Sequence, residues 1–378
     1  MECNVCTSKI HSPIYSSGLS ASITSLCEVR NVRTEVYFCE KCGHLMSPKL
    51  EDLEAYYATD YRILLDHDDE DQIYDVKEGV IEYRTERQLS TLITKIELGD
   101  SAKILDYGCA KSVMTKRLKS LYPNLQCFLF DVSDMYVKYW GKLVSTSNWS
   151  INKTPDSWLN SFDLVTSYFS LEHIPRPILA IAHIHSLLKD NGTLYGIVPY
   201  VFSNPADFVV VDHDNHFTFD SLTYLLHSCG FCDVQIDSDS HRGALVFSAK
   251  KGGGKTSLLR TPDLRSKVEE LAGFWTGLNN KISRLEAEST GPFAIYGSGF
   301  YGAYVYTNLK NKQLIQCFLD QSPFQQGKKV FGLNVLAPID LPPEIRTLFV
   351  GLNPKIALDV IEALPELQNR EIKVNFLA

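Results

Sequence analysis

At 378 residues with a formal net charge of −8, the chain is too long for one compact domain and offers no basic stripe for a phosphate backbone, which excludes nucleic acid as a partner. The N-terminus MECNVCTSKI has no apolar run behind a basic start, and no window approaches the roughly eighteen apolar residues that span a bilayer, so a cytoplasmic protein without membrane insertion is expected. Ten cysteines, several in metal-type pairs and others in core-like runs such as LQCFLF, suit a reducing compartment better than a disulfide framework.

The first element is a pair of knuckles. Cys3 and Cys6 form one C-x2-C, and Cys39 and Cys42 form another within YFCEKCGHLM, about 32 residues later. Four thiolates at this spacing suit a tetrahedral structural Zn2+ with no open position, and a segment with so few large aliphatics needs such a metal to stay folded. Cys27, between the pairs, is expected to pack in the core, with a substitute-ligand role as the alternative, and His11 and His44 are expected to stand outside the ligand set. We expect a zinc-binding domain over 1–75, closed by a tyrosine- and acid-rich connector at 54–75 that lies across the mouth of the next domain.

A second domain is expected over 76–252. Leu89, Leu92, Ile93 and Ile96 mark one helix face, and AKILDYG then reads as a buried strand. A helix near 111–120, strands QCFLFD and DLVTSY, a helix over 177–189 and a strand TLYGIVP follow. Alternation of this kind predicts a doubly wound α/β sheet with ligands at the carboxyl ends of its strands, where Asp106, Gly108, Asp131 and the loop from Ser167 to His173 emerge.

These residues resemble the first motif of the class I S-adenosylmethionine-dependent methyltransferases, approximately D-x-G-x-G-x-G, here Asp106-Tyr-Gly108-Cys109-Ala110-Lys111-Ser112. Two of the glycines have become Ala110 and Ser112, small but less permissive of positive φ. The resemblance implies that Gly108, Cys109 and Ala110 turn beneath the methionine moiety, that Asp106 holds its ammonium, and that Asp131 and Val132 take the ribose, with Ser167 and Tyr168 lining the same site. FDLVTSYFSLEHIPRP resembles the fourth motif of the superfamily. In some members its Glu-His pair, with a further Glu three residues earlier, binds a divalent metal; that earlier position is Phe169 here, so Glu172 and His173 are expected to shape the substrate pocket instead. VDHDNHFTFDSLTYLLHSCGF resembles a pattern in which the histidine of HFT faces the acceptor, implying His216 as general base with His213 beside it and Asn215 in the substrate site. Cys229 and Cys232 share C-x2-C spacing but flank a helix-to-strand turn and are expected to pack.

The last domain, 253–378, begins with the joint KKGGGKTS and an amphipathic stretch over 261–287 carrying Leu264, Val268, Leu271, Phe274 and Leu278. FAIYGSGFYGAYV then places Gly297, Gly299 and Gly302 at the spacing of a dinucleotide-binding turn, with Asp320 eighteen residues beyond. About 90 residues are too few for a whole dinucleotide fold with a substrate domain, so the turn is expected to meet a sugar-nucleotide diphosphate or to pack a helix on a strand. In this order of domains the chain resembles the three-domain sugar C-methyltransferases: zinc-binding N-terminal domain, Rossmann-like methyltransferase core, small Rossmann-like C-terminal domain. In that family a Tyr and a Glu precede the catalytic His by three residues and one; those positions are His213 and Asn215 here. The expected function is methyl transfer from S-adenosylmethionine to carbon or oxygen of a nucleotide-linked sugar. The alternatives are an NAD-dependent sugar-nucleotide oxidoreductase or epimerase and an inactive sugar-nucleotide-binding scaffold.

Overall fold

A computed structural model describes residues 1–18, 21–51, 71–77, 80–253, 261–368 and 370–377. Most of the 54–75 connector and of the glycine-rich joint lies outside them. The chain divides into two compact units, one of Met1–Ser12, Tyr37–Asp207 and Asp212–Leu264, the other of Pro13–Val36, Phe208–Val211 and Arg265–Ala378. The residues of the expected N-terminal domain are therefore shared between the two: Cys3, Cys6, Cys39 and Cys42 belong to the first, Cys27 to the second. A segment this short buries little apolar surface by itself and packs wherever larger cores are on offer.

The first unit is built on seven strands: β1 (Lys103–Tyr107), β2 (Gln126–Asp131), β3 (Trp149–Ile151), β4 (Phe162–Tyr168), β5 (Leu188–Pro199), β6 (Phe231–Asp237) and β7 (Ala244–Lys251). Their order across the sheet is β3-β2-β1-β4-β5-β7-β6. All pairings are parallel except those that β7 makes, which are antiparallel to β5 and β6. Continuous apolar runs such as CFLF in β2 and the Ile197–Val198 end of β5 are buried because helices cover both faces. Helix α1 (Arg84–Lys95) buries Leu89 and Leu92 but leaves Ile93 exposed, so its apolar stripe is narrower than the sequence suggests. Helices α2 (Val113–Leu121) and α3 (Pro177–Leu187) form the crossovers, and α4 (Phe219–Ser228) leads into β6. Thr218 caps α4, accepting the Ser221 amide on its hydroxyl. Cys229 and Cys232 flank this helix-to-strand turn, as expected of packing residues.

Within the same unit, Tyr37–Cys39 pair antiparallel with the strand His44–Met46, whose other edge takes Asn215 and His216, opposite Met46 and Leu45. That register ties the cysteine segment to the histidine loop.

The second unit carries a six-stranded sheet. Helix α5 (Leu264–Ala287) precedes β8 (Phe293–Tyr296), α6 (Phe300–Asn308), β9 (Ile315–Leu319), β10 (Lys329–Val330), β11 (Leu333–Leu336), β12 (Thr347–Val350), α7 (Pro354–Glu362) and β13 (Lys373–Phe376), in the order β10-β11-β9-β8-β12-β13. Only the β10–β11 pair is antiparallel. The buried stripe of α5 runs through Val268, Leu271, Trp275, Leu278 and Ile282, so Trp275 takes the place expected for Phe274. Among the described residues no helix is long and apolar enough to cross a membrane.

Candidate active site

The order in which successive strands are added reverses between the parallel β1 and β4, and open α/β sheets bind ligands outside the carboxyl ends of their strands at such a point. A cavity of about 1270 Å³ lies there, lined among others by Asp106, Gly108, Ala110, Asp131, Tyr168 and His173. Gly108 has φ +77°, and a Cβ on it would stand 2.7 Å from Ser170 Cβ, so this turn requires glycine. Ala110 (φ +43°) and Ser112 (φ +58°) also adopt the left-handed conformation, although neither is glycine. Side-chain bonds compensate: Ser112 Oγ donates to Asp106 at 3.0 Å, and Asp131 accepts the Ala110 amide at 2.8 Å.

Asp106 is buried and also accepts from Thr115 Oγ1 at 3.1 Å. Burial pushes its pKa up to about 6 against the pull of these hydroxyls. Asp131, at the end of β2, takes the Ser133 amide at 3.0 Å on its other oxygen, and burial raises its pKa as well. Cys109 and Val132 line the cavity, as does Tyr168; Ser167 does not, and it bonds Ser170 Oγ at 2.6 Å beneath the wall.

On the opposite side a turn at Leu171–His173 follows β4 and meets the loop before α4. Asn215 Nδ2 donates to the carbonyls of Leu171 and Ile174 at 3.2 and 2.7 Å, which clamps the turn. Asn215 Oδ1 is held by His44 Nε2 at 3.0 Å and by Asn4 at 3.2 Å, so His44 supports this loop while standing outside the cysteine set. Asp207 lies at the centre of the histidine array, 2.6 Å from His213 Nδ1 and 3.3 Å from His216 Nδ1. Burial disfavours its charge, yet the two imidazoles hold its pKa down to about 2. Burial likewise opposes charge on His213, but Asp207, Asp212 and Glu172 hold its pKa up to about 9. His173 Nδ1 lies 3.1 Å from the Asp212 carbonyl; burial and neighbouring His213 lower its pKa to about 4. Burial pushes Glu172 up to about 7.

His216 itself is fully enclosed. Its Nε2 meets Ser47 Oγ at 3.0 Å, and neither it, His213, Asn215 nor Glu172 lies on the cavity wall, where His173 stands instead. A residue's type and spacing could suggest the histidine but not the direction it faces.

Residues 81–236, which supply most of the cavity lining, match the family model described as a methyltransferase domain. The chain carries a methyltransferase domain over these residues. Among solved structures, this chain is similar to human N-acetylserotonin methyltransferase in complex with S-adenosylmethionine (18% identity over 44% of this chain and 53% of that one, TM-score 0.36). It is also similar to S-adenosylmethionine-dependent methyltransferases from Mesorhizobium loti (14%, 43% and 97%, TM-score 0.35) and Archaeoglobus fulgidus (17%, 44% and 94%, TM-score 0.36). No curated protein matches the chain.

In the same unit as the methyltransferase domain, the four cysteines come together. Cys3 Sγ lies 3.6 Å from Cys42 Sγ and Cys6 Sγ 3.4 Å from Cys39 Sγ, and all four sulfurs fall within 4.8 Å of one another. The two knuckles repeat one geometry: the Thr7 amide donates to the Cys3 carbonyl and the Gly43 amide to the Cys39 carbonyl, with Thr7 and Gly43 both at positive φ.

In the second unit, a Cβ on Gly302 would stand 1.9 Å from the Gly297 carbonyl oxygen, and one on Gly297 2.4 Å from that of Gly351. Those two glycines let a helix pack directly on strands; Gly299 faces open space. Asp320 accepts the Ser298 amide at 2.9 Å and hydroxyl at 2.6 Å, tying the turn to β9. Asp207, together with the cavity residues Gln72, Arg84 and Arg176, escaped the sequence reading. For Asp207 a signal existed, an isolated acid in the apolar run ADFVVV, which needs a buried partner.

Proposed function

We propose that the protein moves the sulfonium methyl of S-adenosylmethionine to a nucleotide-linked sugar. The observation that carries this reading is the cavity, which exceeds the roughly 300–1,000 Å³ of a single-ligand pocket and so has room for cofactor and acceptor together. Its lining includes Lys49, Arg84, Lys111, Lys153 and Arg176, a cation set suited to the phosphates of a nucleotide sugar. Asp131 offers the ribose two carboxylate oxygens, and Asp106 offers the cofactor ammonium a counter-charge.

The sulfonium is already electrophilic, so the domain's work is in-line positioning, exclusion of water and removal of one proton. The acceptor oxygen or carbon gives up that proton and bonds to the methyl carbon. The electron pair of the breaking carbon–sulfur bond stays on sulfur, leaving S-adenosylhomocysteine. We assign proton removal to His173 at the wall, held by the Asp212 carbonyl, with His213 and His216, ordered by Asp207, behind it.

For the cysteine cluster we propose a structural Zn2+. Tetrahedral thiolates at a zinc–sulfur distance of about 2.3 Å lie about 3.8 Å apart, close to the observed separations. The metal would fix the segment whose Asn4, His44 and Ser47 hold Asn215 and His216. The test of the whole reading is to incubate the protein with labelled methyl donor and a panel of nucleotide sugars. Label should appear on a sugar; if S-adenosylhomocysteine binds and no sugar in the panel is labelled, the acceptor assignment fails.

A further inference from the structure

We propose that Trp140 is a positioning residue for the cofactor turn, its indole N–H holding Ala110 in the left-handed conformation that a glycine would adopt unaided. The turn after β1 carries three residues at positive φ, Gly108 (+77°), Ala110 (+43°) and Ser112 (+58°), of which the first alone is glycine. An alanine side chain disfavours this region roughly 5–30-fold in population, so bonds from outside the residue must hold the backbone there. Ser112 has such a bond in the helix that it opens, where its carbonyl accepts the Lys116 amide at 3.1 Å. Ala110 is held on both sides: its amide donates to Asp131 at 2.8 Å, and its carbonyl accepts from Trp140 Nε1 at 2.7 Å. Cys109 Sγ, 3.8 Å from the same carbonyl, is a weak donor by comparison.

Trp140 ends the short helix Val137–Trp140 that follows β2. It is fully buried, packs with Cys109, Leu129 and Tyr136, and meets the Trp149 ring at 5.6 Å, so the surrounding core fixes the direction of its N–H. The two bonds to Ala110 differ in what a ligand does to them. Asp131 lines the cavity and is the proposed ribose acceptor, so its oxygens are shared between the turn and the cofactor. Trp140 does not line the cavity, and its bond is the same whatever fills it. A neutral hydrogen bond shifts an equilibrium by roughly 2–13-fold, the same order as the penalty at Ala110. The indole N–H therefore does here what the second glycine does in D-x-G-x-G-x-G. This role rests on the S-adenosylmethionine reading above; the bond does not.

The experiment is a double-mutant cycle on the full chain, read by calorimetric titration with S-adenosylhomocysteine beside a thermal melt. Trp140→Phe keeps an aromatic ring and removes the donor, and should weaken binding roughly 3–10-fold. Ala110→Gly alone should bind within about twofold of the native chain, and adding it to Trp140→Phe should restore affinity to within about twofold, because glycine reaches positive φ without the bond. The smaller ring leaves a core cavity in both Trp140 variants, so affinity regained at a lowered melting temperature separates positioning from general loss of stability. Should Trp140→Phe not fold, the isosteric benzothienyl analogue at Trp140, with sulfur in place of the indole N–H, carries the same expectation. Native affinity in a folded, donor-free variant overturns the proposal, as does a loss that Ala110→Gly leaves unrepaired. A native chain that takes up no S-adenosylhomocysteine refutes the cofactor reading, and the positioning role with it.

Discussion

Asparagine at Asp131 keeps the shape of the side chain but removes one acceptor and the charge. In the fold its two oxygens take the Ala110 and Ser133 amides at 2.8 and 3.0 Å, so the new NH2 must confront one of these donors. An unmet buried donor costs about 1–3 kcal/mol. Burial already penalises the carboxylate's charge, and its removal offsets part of that loss, leaving a net destabilisation of about 1 kcal/mol. The effect on the cofactor is larger. Hydrogen bonds to a charged acceptor contribute about 1.5–3 kcal/mol each, and asparagine retains one weaker acceptor for the ribose, so a loss of about 2–3 kcal/mol is expected. That is roughly 30–150-fold in affinity for S-adenosylhomocysteine. Calorimetric titration of Asp131→Asn at pH 7.5, beside a thermal melt, separates the two effects. Affinity within threefold of the native protein would falsify the placement of the ribose at Asp131.

Cys39→Ser should cost about one zinc per chain by metal analysis and lower methyl transfer as well as melting temperature, because the cysteine segment supports Asn215 and His216; a zinc-free variant with native turnover refutes the link. Ala110→Gly relieves a residue at φ +43° and should raise stability by roughly 0.5–1 kcal/mol, read as a higher denaturant midpoint at unchanged slope; a lower midpoint means that the turn is not strained. The folded pKa of Asp106, about 6, is raised above the unfolded value near 3.8 by burial. Its contribution to stability is therefore fully present below about pH 3.8 and lost as pH rises through 6. Asp106→Asn should then be more stable than the native protein at pH 7.5, with the gap closing toward pH 4, while S-adenosylhomocysteine binds it more weakly; a gap independent of pH contradicts the assignment.

How far the fold could be read varies with the physics of each element. β2 and β4 sit where the sequence places them because a strand covered on both faces must be apolar throughout, and QCFLFD and DLVTSY are. β5 begins at Leu188, five residues before the TLYGIVP run, because Leu188 pairs with Phe162 ahead of an irregular stretch in which Asn191 takes φ +62°, and the polar KDN gives no sign of that pairing. The split of 13–36 from the cysteine knuckles left no trace in composition. It arises from long-range contacts such as Tyr15 against Phe208, with ring centroids 5.5 Å apart, which no local pattern encodes.

The site divides along the same line. Gly108, Asp106 and Asp131 were legible because a turn beneath a ligand demands particular backbone and charge at fixed spacing, and all three line the cavity. The histidine loop obeys no such local demand. Whether His216 meets a substrate or a neighbouring side chain depends on its pairing opposite Leu45, a contact 171 residues away in sequence, which leaves its Nε2 against Ser47. Asp207 orders His213 and His216 together, yet six and nine residues separate it from them with no strand or helix period between. The sequence motif therefore marks the histidines, while the bonds that turn His216 onto Asp207 and Ser47 leave His173, and not His216, on the cavity wall.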